Sequence, residues 1–333
     1  MSELERVAGA KENVVIEGVS LEAGGCAVTL LPRFGGKIAS IQVHGRELLQ
    51  PPLAPVAPRT REMSFDEGDA SGWDECLPSV AACRVPLPGG FEAQVPDHGD
   101  LWRVEWEKNR DQGSEIRDQK TSAALYAKCF SLPLGLERTV SLEEQDGGWR
   151  LGLQYRVTNF GSAPVPWSWA AHPLFLAEEG DRIVLPRSIR SLRLEGSGGG
   201  RLGKNGDTVS WPVARLADGG ETDLSVALAG DSGVGDKLFT GALEAEENWC
   251  ELVRPRAGVR IRVSFDTAAT PYLGLWICYG GWPEKDGAKQ TCVAMEPATA
   301  PVDSLARPGP WSRLLRPRES YLWPMRVEIY RMD

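Results

Sequence analysis

Apolar and polar residues alternate with a period of two along nearly every readable stretch of this chain, which points to strands rather than helices. In GVRIRVSFD, Val259, Ile261, Val263 and Phe265 alternate with Arg260, Arg262 and Ser264, the pattern of a strand with one buried face. WRLGLQYRVTN repeats it with Leu151, Leu153, Tyr155 and Val157, and the QDGG before it supplies a hairpin turn. KIASIQVHGRELLQP reads as two strands joined at His44-Gly45, so His44 is assigned to a turn. No stretch carries a convincing amphipathic helix, apart from one possible helical turn near APVDSLA (300–306). The chain has 24 prolines and 37 glycines, and this punctuation at short intervals argues for an all-β sandwich or barrel. The glycine-rich run from Leu194 to Asp207 reads as an exposed loop. Neither a repeat nor a compositional break divides the 333 residues. The expectation is one domain, 1–333, built as a large antiparallel β-sandwich.

Composition narrows the function classes. The formal net charge is −9, with neither sign clustered, which disfavours a nucleic-acid partner that would require grouped Lys and Arg. No apolar run approaches the roughly 20 residues of a membrane span. The first residues, MSELERVAGAKENVV, lack the basic and apolar regions of a secretion signal. The seven cysteines are scattered without a CxxC pair, so neither a zinc knuckle nor a disulfide framework is expected. A cytoplasmic protein is the resulting expectation.

Polar residues at strand ends carry the candidate chemistry. In APVPWSWAAHPLF, Val165, Trp167, Trp169 and Ala171 face one way, and Pro166, Ser168, Ala170 and His172 the other. His172 thus shares its face with small side chains, which leave room above the sheet. In QTCVAMEPATAP, Val293 and Met295 form the apolar face, while Cys292 and Ala294 share the other with Glu296. Proline follows both His172 and Glu296. Two such strand ends are what a concave ligand site requires. His98, in VPDHGDLWRVEW, is a third candidate, although a loop histidine, a core histidine and a solvated glutamate remain alternatives for the three residues taken singly. The three histidines lie far apart, without HxH or HExxH spacing, so a metal site is not expected. The absence of GxSxG leaves nucleophilic catalysis little support.

Taken in order, LLPRFGGKIASIQVHGRELL, PDHGDLW, SWAAHPLF and TPYLGLWICYGG…TCVAMEPATAPVDSL resemble the aldose 1-epimerase (galactose mutarotase-like) family, over about residues 28 to 329. The resemblance implies the supersandwich of that family, with a sugar site on its concave face. It implies Glu296 as general base, His172 as general acid and His98 as an aid at the ring oxygen, with no cofactor or metal. Such chemistry suits the residue types: a carboxyl with an ordinary pKa of about 4.3 accepts the anomeric hydroxyl proton, and an imidazole of about 6.5 donates once a nearby carboxylate lifts its pKa.

The family's aromatic-Asp-His element is represented only by VGDKLFTGAL, which makes Asp236 a weaker sugar-ligand candidate. Its Asn-Arg pair is missing. In that region SGWDECLPSVAACRVP offers Trp73 to stack on a sugar, Asp74 and Glu75 to bind hydroxyls, and Arg84 as a substitute arginine. An acidic turn beside a buried tryptophan explains the same residues equally well. The expected function is interconversion of sugar anomers, and a neutral sugar is favoured because no basic cluster accompanies the site. A non-catalytic carbohydrate-binding protein and another isomerase or lyase on the same scaffold are the alternatives. A monomer or homodimer with a small-molecule sugar is the expected assembly.

Overall fold

The computed structural model describes residues 16–87, 89–108 and 121–332. Among them the regular elements are strands and single-turn 3-10 segments. Eleven strands form one sheet, in the order Val19–Ala23, Cys26–Leu31, Lys37–Val43, Trp73–Cys76, Ala170–Leu176, Thr291–Ala298, Tyr272–Tyr279, Val234–Phe239, Ser191–Ser197 and Thr208–Ser210, with Arg46–Glu47 beside Lys37–Val43. Eight strands form a second sheet, ordered Arg182–Val184, Trp249–Arg254, Val259–Phe265, Ser320–Arg331, Gly148–Asn159, Leu134–Gln145, Ser122–Lys128 and Glu107–Lys108. The strand pairings within both are antiparallel.

The period-two segments build this directly. Val259, Ile261, Val263 and Phe265 are buried, and the long strand that contains Leu151, Leu153, Tyr155 and Val157 turns all four into the same core. The hairpin expected at QDGG closes Leu134–Gln145 onto Gly148–Asn159, with Gln145 opposite Gly148. His44 sits in its turn at φ 49 beside Gly45 at φ 78, a two-residue connection suited to strand twist. Val28, Leu30, Ile38, Leu275, Ile277, Val293 and Met295 of the eleven-stranded sheet join the same cluster, so apolar burial between the sheets holds them face to face.

Two local expectations are corrected. Leu194–Ser197 is strand, paired with Val234–Phe239 through a bulge between Leu194 and Gly196. The rest of the run is tied down, with Leu202 buried and Arg201 bonded to Asp236. Glycine content marked a bulge and tight turns here, not a free loop. Residues 300–306 form turns and bends without a helical turn; the Asp303 carbonyl instead accepts the Val80 and Ala81 N–H groups at 3.0 and 2.8 Å.

The eleven-stranded sheet also buries part of its other face. Cys76, Val80, Ala170, Phe239 and Ala298 form one small cluster there, and Leu174, Cys278, Cys292 and Ala294 another. Between them the small side chains leave a hollow.

Candidate active site

His172 and Glu296 stand on neighbouring central strands of that sheet. The register pairs Ala170 with Ala298 and Leu174 with Ala294, which puts His172 directly across from Glu296. Pro173 and Pro297 follow them and have no N–H to donate, so the ladder is open at this point. Period-two geometry turns Trp169 and Ala171 into the inter-sheet core and His172 to the other side. His172 Nε2 lies 3.9 Å from Glu296 Oε1.

The third histidine comes from a turn. His98 has φ 57 and the following Gly99 φ 70; a Cβ at Gly99 would meet the Leu77 carbonyl oxygen at 2.3 Å, so glycine is required. Arg103 pins this turn by donating to the Asp97 and Gly99 carbonyls at 2.5 and 2.6 Å. Phe65 stacks on the His98 ring at 3.8 Å between centroids, and the two imidazoles meet edge to face at 5.2 Å. His98 Nδ1 contacts Asp97 Oδ2 at 2.9 Å. Burial opposes the charge of Asp97, but its hydrogen bonds and charge interaction with His98, together with the Arg103 charge, outweigh that and hold its pKa below the usual range.

His172, His98 and Asp97 border a cavity of about 180 Å³, lined also by Phe65, Lys237, Trp282 and Asp303, while Glu296 lies behind this lining. That is below the ~300 Å³ at the lower end of sites for drug-sized ligands, so the cavity suits one small ring. Trp276 and Gln290 also line it and bond to one another, indole Nε1 to amide Oε1 at 2.9 Å.

The charges in the hollow are set by burial. Glu296 has no exposed surface. Burial pushes its pKa up, while Lys237, whose ammonium donates to Oε2, pulls it down without fully cancelling the rise. Oε1 has no hydrogen-bond partner. Burial works against the Lys237 charge, but Glu296 and Asp303 outweigh it and raise its pKa. His172 is driven well below its ordinary 6.5, by burial first and then by His98, Lys237 and Lys37. This corrects the expectation that a nearby carboxylate lifts it: at 3.9 Å and without a hydrogen bond, Glu296 does not offset desolvation.

The other sequence candidates separate. Asp74 shares the His172 face and stands opposite it in register, yet it is buried and bonded to Lys37 Nζ at 2.7 Å. Lys37 also meets Asp69 at 2.9 Å, and Asp69 meets Arg59 at 2.9 Å, so Asp74 belongs to a closed ionic cluster beside the cavity. Trp73 and Glu75 alternate onto the opposite side and lie wholly buried. Glu75 accepts Arg138, Tyr155 and Trp169 donors at 2.9, 3.0 and 3.0 Å, an inter-sheet anchor without access to the cavity. Asp236 is corrected in the same way. It shares the core-facing side with Val234 and Leu238, and its carboxylate bonds Ser197 and Arg201. Arg84 is largely exposed on its hairpin, 3.7 Å from Glu92. The sequence reading missed Lys237, although alternation along VGDKLF, with Val234 and Leu238 as core residues, assigns Lys237 rather than Asp236 to the site face.

Among the described residues no group of three or more His, Cys, Asp or Glu is placed to hold a metal ion, and no helix is long and apolar enough to cross a membrane.

No protein-family model and no curated protein matches the chain by sequence. Solved structures match it by fold. The Slr1438 protein of Synechocystis has a TM-score of 0.67 at 16% identity, over 98% of this chain and 100% of its own. A candidate aldose 1-epimerase from Escherichia coli K12 has a TM-score of 0.68 at 17% identity, over 95% and 99%. A galactose mutarotase-like protein from Lactobacillus casei has a TM-score of 0.64 at 17% identity, over 94% and 100%. The chain therefore has the galactose mutarotase-like fold, all-β with large antiparallel sheets.

Proposed function

We propose that this protein catalyses the interconversion of the anomers of a small neutral aldose. The observation that carries the reading is that His172 and His98 line one cavity while Glu296 Oε1, buried and without a hydrogen-bond partner, lies 3.9 Å behind His172 Nε2. An aldose ring oxygen and its anomeric hydroxyl oxygen are both bonded to C1, so a base and an acid this close can serve them together. Glu296 Oε1 takes the proton of the anomeric hydroxyl as the bond from C1 to the ring oxygen breaks. The ring oxygen receives a proton from His172 Nε2, and C1 becomes an aldehyde. Rotation about C1–C2 presents the other carbonyl face, and closure returns both protons.

His172 acts from its protonated form, which burial makes scarce and, for the same reason, a strong donor. His98, fixed by Asp97 and edge-on to His172, is suited to resupply that proton from the outer side. Phe65 and Trp282 offer apolar surface for a sugar face. A neutral sugar is favoured because Lys237 is already engaged by Glu296 and approached by Asp303 at 3.7 Å, leaving no free Lys or Arg among the described residues that line the cavity.

The test is anomer exchange followed by saturation-transfer NMR over a panel of aldoses. Wild type is expected to accelerate one or more of them, and Glu296→Gln to lose about 10²–10⁴-fold. The Lys237–Glu296 contact also favours a second reading, a carbohydrate-binding protein whose carboxylate is occupied. Binding without acceleration by the wild type would select that reading.

A further inference from the structure

Lys237 is an unusual neighbour for a proton acceptor. It lines the cavity, its ammonium reaches Glu296 Oε2, and it is largely buried while Glu296 is wholly so. We propose that Lys237 is the positioning residue of the site: it occupies Oε2, keeps the Glu296 carboxyl ionised in a dry setting, and leaves Oε1 as the one oxygen free to accept the substrate proton. This extends the proposed sugar chemistry and rests on Glu296 being its base.

The geometry gives three reasons. Oε1 has no partner while Oε2 has one, so the two oxygens are not interchangeable. Glu296 projects from Thr291–Ala298 and Lys237 from Val234–Phe239, two strands separated by Tyr272–Tyr279. Gly274 stands opposite Glu296 in register on that intervening strand, and a Cβ there would lie 3.2 Å from Oε2 and 2.9 Å from Phe239. The missing side chain is what lets the ammonium and the carboxylate meet over the middle strand. Finally, an isolated carboxylate in such a place would take up a proton rather than stay charged.

The other groups facing Glu296 do not supply the same effect. His172 Nε2 lies 3.9 Å from Oε1, and burial drives its pKa well below 6.5, which leaves its charged form scarce. Asp303 repels the charge and His98 favours it less strongly than Lys237. The buried thiols Cys76 and Cys292 sit within electrostatic reach of the carboxylate and stay protonated. Lys237 is thus the cation whose loss the carboxyl feels.

The experiment is a carboxyl titration by NMR on protein labelled with 13C at the glutamate side-chain carboxyl, with the Glu296 signal assigned by its loss in Glu296→Gln. In Lys237→Met the Glu296 midpoint is expected to rise by about 1–3 pH units, and Lys237→Arg is expected to restore most of the wild-type value. An unchanged midpoint in a folded Lys237→Met variant overturns the proposal. If that variant does not fold, the double variant Lys237→Met/Glu296→Gln decides: recovery of the fold supports charge pairing, and continued failure shows that the lysine serves packing alone. The titration reads Lys237 whether or not an aldose is turned over, so it fails independently of the exchange assay. Where exchange is seen, the acid limb of its pH profile should move up with the same shift in Lys237→Met, because the base must be ionised to act.

Discussion

Glu75→Gln separates a structural carboxylate from a sugar ligand, and its size follows from the contacts. Glu75 sits with no exposure between the sheets, where Arg138 Nη1, Tyr155 Oη and Trp169 Nε1 all donate to it at 2.9–3.0 Å. The glutamine oxygen can still accept from Arg138 and Tyr155. Its amide nitrogen then faces the Trp169 N–H, donor against donor, and Arg138 loses its counter-charge where it too is fully buried. Removing one member of a buried pair typically costs about 3–5 kcal/mol. Urea unfolding should therefore show an unchanged slope and, for a slope of ~3 kcal/mol/M, a midpoint lower by roughly 1–2 M. Arg138→Met should cost a similar amount, and the double variant less than the sum, since neither charge is then stranded. Sugar affinity of the folded Glu75→Gln protein should be unaltered. A midpoint within about 0.2 M of wild type, or weakened sugar binding with stability intact, would refute the assignment of Glu75 to the inter-sheet anchor.

Two further outcomes follow. His172 has a folded pKa depressed below its ordinary 6.5, so the unfolded chain binds more protons below that pH; the contribution of His172 to stability is complete above about 6.5 and is lost as pH falls towards the folded pKa. His172→Phe should accordingly flatten the decline of the unfolding midpoint on acidification through this window, measured as urea midpoints against pH. Gly99→Ala should lower both stability and anomer exchange, because its Cβ collides with the Leu77 carbonyl and the φ of 70 is unfavourable for alanine; retained exchange in a folded Gly99→Ala protein would show that His98 tolerates displacement.

The sequence by itself determined the long alternating strands and which of their faces is buried. Alternation in 259–265 and 149–159 fixes those faces because a strand's side chains point to opposite sides in turn. The same rule put His172 with Ala170, and Glu296 with Ala294 and Cys292, on the side where the structure opens a hollow. Local turn chemistry was equally legible at His44-Gly45 and at QDGG. Partnership across the sheets was not, because it depends on which strands become neighbours. Nothing local tells Glu75 apart from Glu296; one meets Arg138, Tyr155 and Trp169 between the sheets, the other meets Lys237 across a glycine and lies 3.9 Å from His172 at the cavity wall. Asp236 and Lys237 stand side by side in the chain, and only sheet order gives the first to Arg201 and the second to Glu296. The charge state of His172 was likewise decided by tertiary structure, since desolvation depends on everything packed around the imidazole and not on the residues that flank it.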